Sequence, residues 1–203
     1  MKEIIKAVGP VSLKVGYPET KEELDAMFRL RAEVYRKEGY VTAENDKDEY
    51  DLDNKCVYFI AKLNDKLVGT GRLVIDDPLP TELYFDFKEP EEIAHIPRNK
   101  RGEISRLIGV AKGLNHLVSL SLIEAIIEWA KENDFLGGYA FMQRYIVQFL
   151  NEMTFPIHII EPYTLKNIEG PFYAYLDRSE GSEVLPIYYI RDEAAEFMEK
   201  MKL

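Results

Sequence analysis

The sequence predicts a mixed α/β fold with a mostly antiparallel central sheet and helices packed on both of its faces. Helical and strand-like segments alternate along the chain, which is typical of helices layered on one sheet. The segment 116–132 is apolar nearly all round and predicts a helix buried against that sheet. A length of 203 residues suits one domain with a full core. We therefore expect a single domain over residues 1–203.

The first part of the chain predicts a strand, a helix and a loop. Residues 11–16 alternate weakly between apolar and polar side chains, as a strand does. Thr20 and Glu23 form a capping box that begins a helix, and Gly39 ends it. The acidic stretch 44–54 is predicted to be a loop.

The middle of the chain predicts three strands. Segments 56–63 and 66–75 flank an Asn-Asp turn and predict a β-hairpin. Residues 78–102 contain four prolines and are predicted to be irregular, and a strand follows over 103–110. After the buried helix, apolar runs and helical spacing predict, in order, a strand over 139–142, a helix over 143–153, strands over 156–161, 172–178 and 186–190, and a helix over 192–202.

Composition and motif searches exclude several classes of function. The net charge of −10 argues against nucleic acid as the main partner, because phosphate binding requires a basic surface. One cysteine and no apolar stretch of signal-peptide or membrane-span length lead us to expect a cytoplasmic protein with no membrane span. The chain lacks a Walker loop, a dinucleotide fingerprint and a nucleophile elbow. Its three histidines lack metal-ligand spacing with Cys56, so no metal site is predicted.

Some charged side chains occupy positions where charge is costly. Arg31 lies on the apolar stripe of the first predicted helix, and Arg72 lies within an apolar strand. Buried charges are tolerated when they are paired and hydrogen-bonded. Three arginines and three acids fit this description: Arg31, Arg72, Arg106, Asp48, Asp51 and Glu103. They form either a structural ion-pair network or the lining of a functional cleft.

These residues fall in sequence blocks that resemble a known family. The blocks are, in order, Arg31-x3-Tyr35, Asp48-Glu49-Tyr50-Asp51, Arg72, and Glu103-Ile104-Ser105-Arg106. Their order and approximate spacing over roughly residues 25–180 resemble the acyl-homoserine-lactone (autoinducer) synthases and the related N-acyl amino acid synthases. Both have the GCN5-related N-acetyltransferase (GNAT) fold, so the resemblance implies a GNAT-like sheet.

The resemblance implies transfer of a fatty acyl group from an acyl carrier protein thioester to an amino-acid-like amine, without a tightly bound cofactor. The acceptor is left open between an amino acid and S-adenosylmethionine. Coenzyme A is the less expected donor, because residues 110–116 lack the glycine pattern that holds its pyrophosphate in acetyl-CoA enzymes of this fold. Two alternatives stay open: an acetyl-CoA-dependent GNAT N-acetyltransferase and a non-catalytic ligand-binding protein of the same fold.

The resemblance also implies roles for individual residues. Glu103 is expected to be the general base, directly or through a water, and Ser105 to bind the thioester carbonyl or the leaving thiol. In a regular strand Arg106 points to the other face, unless a bulge re-aims it. The expected acceptor site comprises Arg31, Tyr35, Asp48, Asp51, Arg72 and Arg106. The expected acyl-chain pocket comprises Phe141, Met142, Ile146 and Phe149, with Leu150 beside them. The expected carrier-docking patch comprises Arg98, Lys100, Arg101 and Lys112, with Arg144 as an addition.

Overall fold

The computed structural model describes residues 4–8, 11–39, 46–52, 55–166, 173–176 and 183–201. Its strands are β1 (Ile4–Val8), β2 (Val11–Gly16), β3 (Cys56–Leu63), β4 (Lys66–Val74), β5 (Phe85–Phe87), β6 (Arg101–Gly109), β7 (Gly137–Gln143), β8 (His158–Ile159), β9 (Tyr163–Leu165) and β10 (Val184–Ile190). Its α-helices are α1 (Lys21–Lys37), α2 (Pro80–Tyr84), α3 (Glu91–Ala94), α4 (Asn115–Glu132), α5 (Arg144–Glu152), α6 (Tyr173–Leu176) and α7 (Arg191–Met201). Short 3₁₀ turns lie at Glu49–Asp51 and Arg98–Lys100.

Within these residues, one large sheet has the strand order β1-β2-β3-β4-β6-β7-β10-β8. Its neighbouring strands are antiparallel, with the exception of β6 and β7, which run parallel. Strands β5 and β9 form a separate antiparallel pair. The predicted mixed, mostly antiparallel sheet is therefore confirmed.

Helices cover both faces of the large sheet. On one face α4 approaches β4 so closely that a Cβ at Gly69 would lie 2.5 Å from the Val118 side chain. Leu73 packs in the same apolar cluster as Val118. Because neighbouring side chains in a strand point to opposite faces, Arg72 points away from α4. There it meets the carboxylate that also binds Arg31 of α1.

The parallel strands β6 and β7 are paired only at their first residues, from Arg101–Gly137 to Glu103–Tyr139. Here the backbones are so close that a Cβ at Gly138 would overlap the Gly102 carbonyl oxygen, which explains the glycine. Beyond this point the ladder ends, and residues from both strands line a cavity.

Some predicted elements differ from the structure. The predicted strand 172–178 is wrong where the structure describes it, because Tyr173–Leu176 is a helix, while 172, 177 and 178 lie outside the described residues. Leu176 packs with Phe85 and Val184, so tertiary contacts override the strand-like alternation of aromatic residues. The predicted strand 156–161 is reduced to the two residues of β8.

The stretch 78–102 is also more ordered than predicted. It contains α2, β5 and α3. Two of its prolines begin helices and do not break them, since Pro80 is the first residue of α2 and Pro90 is the N-cap of α3. Proline is well suited to the start of a helix, where its missing N–H costs nothing. Of the helices described, none is both long and apolar enough to span a bilayer.

Candidate active site

A β-bulge in β6 brings Arg106 to the same side of the sheet as Ser105. Thr70 faces Ile108 and Arg72 faces Ser105, so two residues of β6 lie opposite the single Gly71. Arg106 is the bulged residue and has a φ of 53°. This left-handed conformation is the one found at the first residue of a G1-type bulge, a position usually held by glycine. The bulge foreseen as the exception to a regular strand is therefore present, and the Arg106 guanidinium turns toward Asp48, with Nη2 donating to Oδ2 at 2.9 Å.

Arg31 is completely buried beneath this site. Its Nε donates to Asp46 Oδ2 at 3.0 Å, and its Nη2 donates to the Asp46 carbonyl oxygen at 2.7 Å. Its Nη1 and Nη2 donate to the two oxygens of Asp51 at 3.1 and 3.0 Å. Such a bidentate pair has the geometry that a guanidinium prefers. Arg31 therefore uses its donors within the protein.

Arg72 links this buried pair to the surface of the site. Its Nη1 and Nη2 donate to the two oxygens of Asp48 at 2.6 and 2.9 Å. Its Nη1 also lies 3.0 Å from Asp51 Oδ1. Its Nε donates to Ser105 Oγ at 3.0 Å, which leaves the serine proton free to be donated elsewhere. Three guanidinium and three carboxylate groups thus meet in one cluster, and their charges balance: Arg31, Arg72, Arg106, Asp46, Asp48 and Asp51.

The arginines keep the carboxylates of Asp48 and Asp51 ionised. Burial raises the pKa of Asp48, but the hydrogen bonds and charge of Arg72, with the charges of Arg106 and Arg31, hold it far below its ordinary value. Burial likewise raises the pKa of Asp51, and Arg31 and Arg72 outweigh it. A carboxyl pKa that is lower in the folded than in the unfolded state makes stability depend on pH.

We expect the free energy of unfolding to fall as the pH drops below about 3.8, the ordinary carboxyl value. Above that pH the stabilisation by Asp48 and Asp51 is fully present, and below it the unfolded state binds protons first. Asp51→Asn should lower stability at neutral pH and flatten its decline in acid, which urea unfolding across the acidic range measures. Asp65→Asn is the control, because Asp65 is 82% exposed. Parallel curves for wild type and Asp51→Asn would contradict this.

Glu103 lies on β6, two residues before Ser105, and is fully buried. Its Oε2 accepts a hydrogen bond from the Thr81 N–H at 2.7 Å, and no partner for Oε1 is found among the described residues. Burial raises the pKa of Glu103 to about 8, against the opposing effects of Thr81 and of the Arg72 charge. A carboxyl group with such a pKa exchanges protons near neutral pH.

A cavity of about 460 Å³ runs from this cluster through the gap between β6 and β7. One part is polar and is lined by Tyr35, Glu38, Asp48, Arg72, Ser105 and Arg106. The other part is apolar, and the four residues expected to hold an acyl chain line it: Phe141, Met142, Ile146 and Phe149. Leu150 also lines it, and buried Ile127, Phe155 and Ala194 lie along the same cavity. The cavity is therefore suited to a ligand that has a polar head group and an apolar tail.

The expected acceptor residues separate into two layers. Tyr35, Asp48, Arg72 and Arg106 line the cavity, and the Arg106 guanidinium lies 5.3 Å from the centre of the Tyr35 ring. Arg31 and Asp51 do not line it, because their side chains are 0% exposed and bound to one another. The expectation that Arg31 and Asp51 contact the acceptor directly is therefore corrected.

The expected carrier-docking residues do not form one patch. Arg98 and Lys100 lie before β6 and pair with Glu82 and Asp134, whereas Lys112 follows the other end of the strand. Nine strand residues separate the two ends by about 25 Å. Arg101 is buried in an ion pair with Glu89 and is not a surface group. Arg144 is paired with Glu183.

Sequence reasoning missed three contributors. Asp46 binds Arg31, Tyr58 donates to Asp51 at 3.0 Å, and Thr81 donates to Glu103. Asp46 belongs to the same acidic loop as Asp48, so the loop itself was the available signal. Thr81 carried no signal, because its contribution is made through the backbone.

Comparison with known proteins gives one family. The family model described as N-acyl amino acid synthase FeeM matches residues 26–148, which is more than half of the chain. The matched range contains every residue of the cluster. A search of curated protein sequences yielded no relative.

Solved structures share the fold at low sequence identity. The acyl-homoserine lactone (AHL) synthase LasI is 15% identical with a TM-score of 0.62, and 89% of this chain and 90% of that chain are covered. The CoA-dependent acyl-homoserine lactone synthase MesI is 17% identical with a TM-score of 0.59, covering 89% and 88%. Escherichia coli ElaA is 16% identical with a TM-score of 0.57, covering 92% and 99%. The GNAT-like fold is therefore confirmed.

Proposed function

The chain belongs to the N-acyl amino acid synthase FeeM family of acyltransferases, and on this premise we propose that it acylates the α-amino group of an amino acid with a fatty acyl group from an acyl carrier protein. The observation that carries the proposal is that one cavity has both a charged part, beside Asp48, Arg72 and Arg106, and an apolar part, between the sheet and α5.

The balance of charge supports a zwitterionic acceptor. Asp48 is the most exposed carboxylate of the cluster, at 25%, and is suited to the ammonium group. Arg106 lines the same wall and is suited to the carboxylate. A ligand with no net charge adds no uncompensated charge to a neutral, partly buried cluster. S-adenosylmethionine carries an additional sulfonium charge and is the competing acceptor.

In the proposed reaction Glu103 and Ser105 have separate roles. An α-ammonium group has a reference pKa of about 7.7–8.0 and must lose a proton before its nitrogen can attack. Glu103 is fully buried and does not line the cavity, so in this proposal it takes the proton through a bridging water, and its pKa of about 8 is matched to that task. The Ser105 hydroxyl accepts from Arg72 and can donate its proton to the thioester oxygen as charge develops there. Attack by the amine then expels the thiolate and forms an amide.

The direct test is acyl transfer by the purified protein, read by mass spectrometry. Acyl carrier thioesters of several chain lengths are offered with an equimolar mixture of amino acids and S-adenosylmethionine. We expect N-acyl amino acids as the products. Acyl-homoserine lactone as the main product would identify S-adenosylmethionine as the acceptor in place of an amino acid. Acetylated products from acetyl-CoA would identify acetyl-CoA as the donor in place of the acyl carrier protein. No transfer with any combination would overturn the proposal.

For the carrier, the proposed docking point is the exposed Lys112, beside the cavity-lining Asn115 and His116 at the start of α4. Carrier proteins are acidic, so a rim lysine should assist their encounter with an enzyme of net charge −10. We expect Lys112→Glu to raise KM for the acyl carrier by about 3–10-fold. Lys100→Glu, at the far end of β6, is the control and should change KM less.

Steady-state kinetics at rising salt provide the check. Wild-type kcat/KM with the carrier should fall as salt screens the docking charges, and the Lys112→Glu variant should be less sensitive. Equal kcat/KM for acyl-CoA and acyl carrier protein, or equal effects of the two lysine variants, would contradict carrier docking at Lys112.

A further inference from the structure

The apolar part of the cavity has an exposed end and a buried end. Along α4 its lining begins at the exposed His116 and continues to the buried Ile123 and Ile127. Along α5 it begins at Tyr145, which is 60% exposed, and continues to the buried Leu150. Between His116 and Ile127 the helix advances by about 16 Å. A hydrocarbon chain in this cavity can therefore extend from the surface into the core.

The walls of the buried end are apolar. Phe155 and Tyr189 line it together with Ile127, and all three are buried. The Tyr189 hydroxyl donates to the Gly102 carbonyl oxygen at 3.2 Å, so its proton is used within the protein. The charged side chains that line the cavity belong to its polar part: Glu38, Asp48, Arg72 and Arg106. A hydrocarbon group is suited to the buried end, whereas a charged group there would lack a partner.

Helix α7 closes the buried end. Ala194 is the residue of this helix that lines the cavity, and it is 0% exposed. The preceding Asp192 and Glu193 are exposed, so α7 is a surface helix whose inner side meets the cavity. One turn after Ala194, Met198 is buried in the same apolar cluster as Ile127 but does not line the cavity. The open space therefore stops at Ala194.

The surroundings of Ala194 are packed, and the cavity itself is the space left open beside it. Phe155, which lines the cavity, makes an edge contact with Phe197 of α7 at 5.0 Å between the ring centres. Because protein interiors are close-packed and yield little, a chain that reaches Ala194 cannot push α7 aside without a cost. Additional carbon atoms on the side chain at position 194 would instead enter the cavity and shorten it.

We propose that Ala194 is the specificity-determining residue for the length of the acyl chain: its methyl group is the floor that the end of the fatty acyl chain meets. This inference rests on the proposed function, in which the apolar part of the cavity holds that chain. It adds to the proposed function a limit on chain length, which α7 sets at the buried end and the reacting groups at the other end do not.

A floor has a distinct signature in binding. Each further methylene group that is buried should lower Kd about fourfold, until the chain fills the cavity. Beyond that length an additional methylene group finds no buried space, so Kd should stop falling. The length at which this break occurs measures the depth of the cavity.

The test measures Kd for saturated fatty acids of graded chain length by isothermal titration calorimetry on the full chain. It compares the wild type with Ala194→Leu and Ala194→Val, which fill space at the floor, and with Ala194→Gly, which adds space. Ala195→Leu is the matched control, because Ala195 is the next residue of α7 and is partly buried but does not line the cavity. The kcat/KM values for acyl carrier thioesters of the same lengths are measured in parallel.

We expect the break to occur about three carbons earlier in Ala194→Leu, about two earlier in Ala194→Val and about one later in Ala194→Gly, according to the carbon atoms added or removed. Ala195→Leu should keep the wild-type break. The preferred chain length in kcat/KM should shift by the same number of carbons. If leucine prevents folding, the valine and glycine variants still shift the break in opposite directions.

A break at the wild-type length in Ala194→Val and Ala194→Gly overturns the inference, as does a wild-type Kd that falls without a break. Acyl transfer with an unshifted chain-length preference in these variants also overturns it and leaves the proposed function intact. The binding measurement needs no acyl transfer. Shifted breaks without transfer from any donor would therefore confirm the floor and show the failure of the proposed function separately.

Discussion

We expect Glu103→Gln to lower kcat for acyl transfer by about 10²–10⁴-fold, which is the usual contribution of a general base. Glutamine preserves the shape of the side chain and can still accept from the Thr81 N–H. It cannot take a proton at neutral pH. Because the amine loses its proton unaided at high pH, the deficit should shrink there. Single-turnover transfer on folded protein between neutral and alkaline pH measures this.

Glu124→Gln is the matched control, since Glu124, like Glu103, is buried and does not line the cavity, but it lies on α4 and not on the strand of Ser105. Its kcat should remain close to wild type. If Glu103→Gln kept near-normal turnover per folded molecule, Glu103 would be removed from the reaction and would be a structural residue.

The same substitution should affect stability in the opposite direction to activity. The folded pKa of Glu103 is about 8 and its ordinary value is 4.5, so between these values the folded state holds a proton that the unfolded state has lost. Wild-type stability therefore declines as the pH rises through this window. Glu103→Gln should lack that decline and be relatively more stable at alkaline pH, which urea unfolding against pH would reveal. A structural partner of an arginine would give a loss of stability instead.

We expect Arg31→Met to lower the free energy of unfolding by about 3–5 kcal/mol, because it leaves the buried carboxylates of Asp46 and Asp51 without their main partner. Methionine fills much of the same space, so loss of the charge dominates. The folded fraction should retain most of its kcat, since Arg31 does not line the cavity. Chemical denaturation together with acyl transfer on the same samples separates the two effects.

The control is Arg29→Met, an exposed arginine on the same helix, which should change stability by less than about 0.5 kcal/mol. Without Arg31 the pKa of Asp51 rises in the folded state, so the deficit should be largest at neutral pH and shrink in acid. A large increase in KM for the acceptor with little loss of stability would instead make Arg31 a direct ligand.

The amino-acid sequence by itself determined the parts of this protein that depend on local periodicity and on unusual placement of charge. The capping box at Thr20 begins α1, and the apolar run of α4 predicts its burial. The hairpin of β3 and β4 follows from two strand-like segments that flank an Asn-Asp turn. Arg31 and Arg72 were identifiable because charge in an apolar segment is costly and needs a partner, and Asp48 because it belongs to the motif that resembles the family. These properties are carried by neighbouring residues, so they can be read without the fold.

The tertiary structure alone decided which of these residues reach the cavity. Arg31 and Arg72 are equally conspicuous in sequence, yet only Arg72 lines the cavity, because α1 packs Arg31 beneath Asp46 and Asp51. The bulge that turns Arg106 into the site depends on pairing between β4 and β6. The contact of Thr81 with Glu103 joins residues 22 positions apart. Strand register, the depth at which a side chain is buried and the backbone hydrogen bonds between distant residues arise from long-range packing, and no local pattern encodes them.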